Sequence, residues 1–291
     1  MKKCVTVPHW ITIAVFFLWY IICCMKNTLT PHFLSLIIPA FKQEKTIVKD
    51  VRKIKRVLDT IRYDYEIIVV VDGNVDYSFE KIKRAKIKKI SCYVFQENQG
   101  KSFAIRYGMS RARGDYVIFI DSGMEIDPNG ISMLLEHMEW YNADIIVGSK
   151  RHLASQVNYP LWRKVLSVGY YMIVKWLFGI KVHDTQAGIK IFKRHVLEKI
   201  LPRLIEKNYA GDLEILVVAN TLGFKRTYEA PIKLDYSNST LTSAATLRAI
   251  IGILIDTLAI FYRKNILQYY KQPHKRPVTS KRIKLKYFRY L

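Results

Sequence analysis

Residues 34–39 read Leu-Ser-Leu-Ile-Ile-Pro, and residues 66–73 read Glu-Ile-Ile-Val-Val-Val-Asp-Gly. Each is a short apolar run that ends at a turn residue, which is typical of a buried strand. Similar runs end at the polar turn 97–100, at Asp121 and at Gly148. Amphipathic stretches lie between them, at residues 45–62, 79–88, 101–112 and 129–141. Strands that alternate with helices predict an α/β fold in which helices sandwich a mostly parallel sheet.

The composition is that of a folded chain with an anionic partner. Half of the 291 residues are hydrophobic, which excludes a disordered protein. The 47 Lys and Arg against 24 Asp and Glu give a net charge of +23, which predicts a nucleic acid, an anionic membrane surface or a phosphorylated substrate as partner. Three of the four cysteines lie in or next to the first apolar segment, which leaves Cys92 alone in the body of the chain. A disulfide framework and a cysteine zinc site are therefore excluded, and the reducing cytosol is favoured.

The amino-terminal segment has the features of a membrane anchor. Residues 5–25 contain no charged side chain. At about 1.5 Å per residue, a helix of this length reaches roughly the 30 Å of a bilayer core. We therefore predict a single-pass transmembrane anchor over residues 5–26, with the body of the chain on the cytosolic side. A cleaved signal peptide is the alternative.

A second apolar stretch, at residues 244–262, is interrupted by Arg248 and Asp256. Each charge at the bilayer centre costs about 2.5–3.5 kcal/mol, so an amphipathic helix at the membrane interface or against the body is predicted over residues 241–266. The tail 271–291 holds eight Lys and Arg and no acidic residue. It is either a lipid headgroup contact or a solvated, disordered segment. The remaining body, residues 33–236, is the predicted α/β domain.

Four polar loops follow predicted strands, beginning at Pro39, Asp72, Asn98 and Asp121. Open α/β sheets bind ligands at the carboxyl ends of their strands. In this order the loops resemble the motifs of the family 2 glycosyltransferases, which have the Rossmann-like GT-A fold. Four further segments make the chain similar to the polyprenyl-phosphate branch of that family: residues 148–151, 163–167, 184–192 and 212–216. The run Asp-Thr-Gln-Ala-Gly-Ile-Lys at 184–190 and the anchor make the dolichyl-phosphate β-glucosyltransferases a closer likeness than the mannosyltransferases.

The resemblance implies an inverting hexosyltransferase. Its donor would be a nucleoside-diphosphate sugar, with UDP-glucose favoured, and its acceptor a polyprenyl phosphate. Asp121 matches the first residue of the Asp-x-Asp motif that binds Mg²⁺ or Mn²⁺, and Glu125 is the second candidate ligand. Gly123 stands where the motif has its second Asp. A weaker metal site, a site rebuilt around Glu125 and Asp127, and loss of the metal all stay open.

The resemblance also assigns roles to individual residues. Donor binding is implied for Pro39, Ala40, Glu44, Asp72, Lys101, Asp121, Gln186 and Lys190. Acceptor-phosphate binding is implied for Arg151, Arg163 and Ser167. The catalytic candidates are Asp121, Arg163, Asp212 and Glu214. Asp212 or Glu214 could hold sugar hydroxyls or pair with an arginine. His183 and His195 are interpreted as lone surface or core histidines.

Three other functions stay open. The acceptor could be a glycan or a glycolipid in place of a polyprenyl phosphate. Gly123 motivates a catalytically dead nucleotide-sugar-binding protein. The net charge of +23 suggests a nucleic-acid binder, but the sequence has no nucleic-acid motif and the predicted anchor argues against one. The expected partners are therefore a nucleoside-diphosphate sugar, a polyprenyl phosphate and anionic membrane lipids.

Overall fold

The computed structural model describes residues 32–157, 161–234, 247–272 and 285–290. The strands are β1 (Leu34–Ala40), β2 (Tyr65–Val71), β3 (Ile90–Phe95), β4 (Tyr116–Ile120), β5 (Ile145–Ser149), β6 (Ile189–Lys193), β7 (Thr227–Pro231) and β8 (Leu285–Tyr290). The α-helices are α1 (Ile47–Leu58), α2 (Ser78–Ala85), α3 (Lys101–Arg111), α4 (Gly130–Trp140), α5 (Leu161–Phe178), α6 (Arg194–Ile200), α7 (Gly211–Thr221) and α8 (Leu247–Asn265). The predicted anchor at residues 5–26 lies outside the described residues. Within the four described ranges, none of the helices has the length and apolar character needed to span a bilayer.

The strands form one sheet in the order β7-β5-β6-β4-β1-β2-β3-β8. The pairs β1–β2, β1–β4, β2–β3 and β5–β7 are parallel. The pairs β4–β6, β5–β6 and β3–β8 are antiparallel. The predicted α/β architecture is therefore observed, and its parallel core, β4-β1-β2-β3, is flanked on both sides by antiparallel strands.

Both faces of this sheet are covered, as the continuous apolar runs predict. All seven residues of β1 are buried. Leu36 and Ile38 point into the core layer that includes α1, and Ile37 points into the opposite layer, which includes α3 and α7. This alternation is the two-residue period of a strand. Parallel strands with two buried faces place their carboxyl ends, and the loops that follow, at one edge of the sheet.

Helix α3 packs unusually close to the sheet. A Cβ atom at Gly108 would lie within van der Waals overlap of Ile37, so glycine is required for this approach. The helix begins at Lys101, directly after the loop that follows β3. The close packing thus fixes the first turn of α3, and the Lys101 side chain with it, at the carboxyl edge of the sheet.

The carboxyl-terminal segment differs from its prediction. Helix α8 lies inside the predicted stretch 241–266. However, residues 285–290 of the predicted tail form β8, which pairs antiparallel with β3, so that Phe288 lies opposite Cys92. The Phe288 ring packs 5.2 Å from that of Phe79. For these six residues the interpretation as a disordered segment is wrong, because their aromatic side chains favour a strand that completes the sheet. The lipid headgroup contact stays a prediction.

Candidate active site

The loop after β1 and the loop after β2 form one wall at the carboxyl edge of the sheet. The Asp72 amide donates to the Ala40 carbonyl over 2.8 Å. The Glu44 amide donates to Asp76 Oδ2 over 3.0 Å, and the Glu44 carboxylate accepts from the Tyr77 amide over 3.2 Å. Pro39 and Ala40 are buried at the end of β1. The predicted donor-binding residues of these two loops are therefore neighbours.

Asp72 ties this wall to the third loop. Its Oδ1 accepts from the Gln99 amide over 2.7 Å, and its Oδ2 accepts from the Gly100 amide over 2.9 Å. Gly100 has a φ of +98°, a conformation that favours glycine. Burial raises the pKa of Asp72, and the two amide hydrogen bonds offset part of that rise. The carboxylate of Asp72 thus positions the residues that immediately precede Lys101.

Lys101 joins two carboxylates across the crevice. Its Nζ donates to Asp121 Oδ2 over 2.7 Å and lies 3.9 Å from Asp212 Oδ2. The side chains of Lys101 and Asp121 are 37% and 39% exposed, so the pair faces the crevice. Partial burial acts to lower the pKa of Lys101, and the neighbouring carboxylates outweigh it and raise the pKa above its ordinary value. Lys101 is therefore charged at neutral pH.

Asp121 is held from behind by Gly188. The Asp121 amide donates to the Gly188 carbonyl over 2.9 Å, and a Cβ atom at Gly188 would overlap the Asp121 carboxylate. Glycine at this position in the Asp-Thr-Gln-Ala-Gly-Ile-Lys run thus makes room for the carboxylate. The sequence motif and the predicted metal ligand are in direct contact.

Asp121 and Glu125 offer a divalent ion carboxylate oxygens, but few of them. Asp121 Oδ1 is buried and accepts no hydrogen bond from the described residues, so this oxygen is open to a cation. Glu125 is half-buried and close enough to contribute to the pKa of Lys101. Gly123 supplies no ligand. Within the described ranges, no three His, Cys, Asp or Glu side chains are grouped so as to hold a metal ion.

Lys190 and Asp212 form a buried pair behind Lys101. Lys190 Nζ donates to Asp212 Oδ1 over 2.5 Å and to the Ala187 carbonyl over 2.7 Å. Lys190 is fully buried, and burial lowers its pKa, which Asp212 partly offsets. The structure therefore places Lys190 beneath the crevice, as the partner of Asp212, in place of the direct donor contact that the resemblance implied.

Glu214 lies in a different cluster from Asp212, although both are on α7. The fully buried Glu214 carboxylate accepts from the amides of Ile205 and Glu206, each over 2.9 Å, and from the Tyr270 hydroxyl over 2.8 Å. Arg263 of α8 lies 3.5 Å away. Burial raises the pKa of Glu214. These contacts join α7 to the carboxyl-terminal segment, and they bring Glu214 together with none of the other predicted site residues.

Two of the three predicted acceptor residues, Arg151 and Ser167, are in contact at α5. Arg151 Nη2 donates to Ser167 Oγ over 2.9 Å, and the Arg151 guanidinium lies 5.1 Å from the centre of the Tyr171 ring. Arg163 belongs to the first turn of the same helix, four positions before Ser167, and its side chain lies outside the described residues. Ser167 and Tyr171 are likewise one turn apart. Ser167 and Tyr171, both of which contact Arg151, therefore lie on one face of α5.

His183 and Glu229 extend this cluster through a contact that is not predicted from the sequence. His183 Nδ1 and Glu229 Oε2 lie 2.6 Å apart, and the His183 ring is 5.2 Å from the Tyr171 ring. His183, interpreted from the sequence as a surface or core histidine outside any metal site, thus pairs with a carboxylate. Nothing in the sequence signals this contact, because Glu229 is 46 residues away on β7.

The segment 184–188 runs between the two halves of the site. At one end, Asp184 Oδ2 accepts from the amide of Lys150, the neighbour of Arg151, over 3.0 Å. At the other end, Gly188 contacts Asp121. Between them, Gln186 is half-buried and lies 3.5 Å from the Tyr170 hydroxyl of α5. One stretch of five residues therefore contacts both the acidic loop tip and the basic flank.

The sequence matches a protein-family model and is similar to several named enzymes. The family model described as "Glycosyl transferase family 2" matches residues 35–201. A dolichyl-phosphate beta-glucosyltransferase of Drosophila melanogaster is 29% identical over 226 residues, which cover 72% of this chain and 69% of that protein. One of Dictyostelium discoideum is 28% identical over 213 residues, which cover 68% of this chain and 65% of that protein. The chain thus spans about two thirds of the length of these relatives.

Solved structures share the fold at low sequence identity. Glucosyl-3-phosphoglycerate synthase from Mycobacterium tuberculosis in complex with uridine diphosphate superposes with a TM-score of 0.59 at 14% identity, covering 84% of this chain and 82% of that chain. Its complex with Mn²⁺, UDP-glucose and phosphoglyceric acid gives a TM-score of 0.58 at 15% identity over the same shares. The GT-A fold predicted from the motifs is confirmed.

Proposed function

The chain belongs to glycosyl transferase family 2, and from that premise we propose that it transfers a hexose, with glucose favoured, from a nucleoside-diphosphate sugar to a polyprenyl phosphate. The observation that carries this proposal is the segment 184–188, which contacts Asp121 on one side and the Lys150–Arg151 turn on the other. A site for two phosphorylated substrates needs such an arrangement. The names of the dolichyl-phosphate beta-glucosyltransferase relatives support it.

The donor half of the site is the wall that includes Glu44 and Asp72, together with Lys101. We assign the nucleoside to the wall and the diphosphate to Lys101. UDP-glucose is the favoured donor. As the bond from C1 to the diphosphate breaks, negative charge grows on the leaving group, and a fixed cation stabilises it most at that moment.

A divalent ion, Mg²⁺ or Mn²⁺, would be held by Asp121 and Glu125. Carboxylate oxygens are the ligands that these ions prefer. When bound, the ion supplies further positive charge to the diphosphate. The hydrogen bond from Lys101 to Asp121 Oδ2 and the glycine at position 123 leave few oxygens for it.

The acceptor half is Arg151, Arg163 and Ser167. A lipid monophosphate has a second pKa near ~6, so it is mostly a dianion at neutral pH and needs no strong base. Its oxygen attacks C1 from the face opposite the diphosphate, the C1–O bond to the diphosphate breaks, and an α-linked donor becomes a β-linked lipid product. The arginines hold the phosphate in line. Asp212, fixed by Lys190, faces Lys101 and is assigned a positioning role.

The acceptor also requires a lipid surface, and α5 and α8 provide one. The two helices contact each other through Tyr170 and Thr257, whose hydroxyl oxygens lie 3.0 Å apart. Each carries exposed apolar side chains at helical spacing, namely Val165, Met172 and Trp176 on α5 and Ile251, Ile255, Leu258 and Tyr262 on α8. We propose that this surface, the α5–α8 face, lies in the headgroup region of an anionic membrane.

The proposed membrane arrangement has further parts. Residues 5–26 would form the anchor, residues 33–236 the glycosyltransferase domain on the cytosolic side, and α8 the interfacial helix. The exposed Lys164 and Lys175 lie on α5, beside its apolar side chains. Such lysines contribute up to ~1 kcal/mol each near an anionic surface.

An acceptor comparison tests the proposed function. The full-length chain in detergent is incubated with UDP-glucose and either dolichyl phosphate or a neutral glycolipid, and the lipid product is separated by chromatography. We expect a product from dolichyl phosphate alone. A product from the neutral glycolipid alone would reject the phosphate acceptor, and donor binding with no product from either lipid would support a binding protein that has lost catalysis.

A further inference from the structure

Position 123 has room for the carboxylate that it lacks. A Cβ atom built at Gly123 meets no heavy atom within 4 Å. The absence of an acidic side chain there is therefore not forced by packing. With Gly123 the Asp-x-Asp position carries one negative charge fewer than the motif that binds a divalent ion, and the loss of a carboxylate ligand weakens the binding of hard cations.

The remaining carboxylate, that of Asp121, already pairs with a cation of the chain itself, Lys101. Lys101 Nζ lies 2.7 Å from Asp121 Oδ2 and 3.9 Å from Asp212 Oδ2. Glu125 is a third acidic neighbour in the electrostatic environment of this ammonium group. The acidic charge at this loop tip is thus balanced by a lysine of the chain.

Both members of the pair are fixed in place. The backbone before Lys101 is set by Gly100, and a Cβ atom there would overlap the Lys207 carbonyl. That same carbonyl accepts from the Ser102 amide over 2.9 Å, which anchors the first turn of α3. Gly188 confines Asp121 from the other side. The Lys101 side chain is nevertheless 37% exposed, so it is accessible from solvent.

Resting on the proposed function, we propose that Lys101 is the principal cation for the donor diphosphate, so that this chain binds a nucleoside diphosphate without a divalent ion. On donor binding the ammonium group would share its three N–H donors between Asp121 and a diphosphate oxygen. A metal ion held by Asp121 and Glu125 would add to this charge, and it would not be required for binding.

The test measures binding, so it does not depend on turnover. The full-length chain in detergent is titrated with UDP by calorimetry, once with EDTA and once with Mn²⁺. For the wild type we expect the two dissociation constants to agree within about threefold. In Lys101→Met, the loss of a charged hydrogen bond predicts UDP binding about ten- to hundredfold weaker in EDTA, with Mn²⁺ restoring much of it.

Two further variants separate this effect from a general loss of structure. Gly123→Asp adds the missing carboxylate in open space, so we expect it to bind Mn²⁺ more tightly by electron paramagnetic resonance and to bind UDP in a Mn²⁺-dependent manner. Lys89→Met removes a lysine that pairs with Asp64 over 2.6 Å and lies before β3, at the opposite edge of the sheet. It should bind UDP as the wild type does.

The outcomes are distinguishable. Wild-type binding of UDP in Mn²⁺ but not in EDTA overturns the role of Lys101 and leaves the proposed function intact. The same holds for a folded Lys101→Met chain that binds UDP in EDTA as tightly as the wild type does. If the wild type binds UDP in neither buffer, the proposed donor class is wrong, and the inference falls with it. If Lys101→Met does not fold, the wild-type comparison and Gly123→Asp decide the question.

Discussion

The buried pair of Lys190 and Asp212 gives the sharpest stability prediction. Lys190 is fully buried, Asp212 is nearly so, and their charged atoms are 2.5 Å apart. Removing Lys190 leaves the Asp212 carboxylate buried without its near partner, and the Lys101 ammonium, 3.9 Å away, compensates it less well. Such a loss costs about 3–5 kcal/mol of unfolding free energy. We expect Lys190→Met to destabilise the chain by this amount, which for a domain of this size is a fall in melting temperature of roughly 6–20 °C.

The Lys89–Asp64 pair is a matched control. Its charged atoms are 2.6 Å apart, but its side chains are 44% and 67% exposed. Exposed pairs contribute about 0–1 kcal/mol, so Lys89→Met should change the melting temperature little. Both variants remove the same side chain from a pair of nearly the same length. The difference between them therefore isolates burial.

The assay is thermal unfolding of the full-length chain in detergent, followed by far-ultraviolet circular dichroism. The double variant Lys190→Met with Asp212→Asn carries no buried unpaired charge, so we expect it to recover at least about half of the loss. If Lys190→Met melts within the range of Lys89→Met, or if the double variant is as unstable as the single one, the pair does not hold Asp212 as we describe.

Three more predictions concern the acceptor, pH and the membrane. Arg151→Ala should raise the KM for polyprenyl phosphate by about ten- to hundredfold and leave UDP binding unchanged, because a charge-assisted contact to phosphate is lost; an equal effect on UDP affinity would contradict its place in the acceptor half. Burial raises the pKa of Asp72 above its ordinary value of 3.8, so this carboxyl group stabilises the fold most below pH 3.8 and loses that contribution as pH rises through the raised pKa. Urea unfolding should therefore show Asp72→Asn improving relative to the wild type from acid to neutral pH, and a constant difference would refute the shift. In bilayers with brominated lipids, Trp176→Phe should remove part of the quenched tryptophan fluorescence and Trp140→Phe should not, although the two residues are 85% and 87% exposed; equal losses would place α5 away from the membrane.

The parallel half of the fold was predictable because its strands are buried on both faces. Such strands are continuous apolar runs, as in β1 and β2, and their ends are marked by turn residues. The helices between them have one polar face, so their periodicity is clear. On helix α5 the exposed side chains are a mixture of polar and apolar ones, because Val165, Met172 and Trp176 are exposed beside Lys164 and Lys175. An amphipathic pattern facing solvent is missing there, and the helix was not predicted.

The residues on the loops of the site were predictable from the sequence, whereas the contacts of its buried residues were not. Asp121 and Lys101 lie where the motif order places them, on loops at one edge of the sheet. Lys190 was assigned to the donor from the motif alone. In the structure it lies on β6 and points toward Asp212, a contact between residues 22 positions apart. Glu229, the partner of His183, and Tyr270 and Arg263, which contact Glu214, likewise come from distant parts of the chain, so no local pattern contains them.

The transfer of label into lipid tests the proposed hexosyl transfer to a polyprenyl phosphate most directly. Membranes that contain the full-length chain are incubated with radiolabelled UDP-glucose or GDP-mannose, and the lipids are extracted. We predict label from UDP-glucose in an acid-labile lipid, and strongly reduced label in the Asp121→Asn variant. Label in the lipid from GDP-mannose alone would contradict the proposed donor. Undiminished label in Asp121→Asn would contradict the place of Asp121 in the active site.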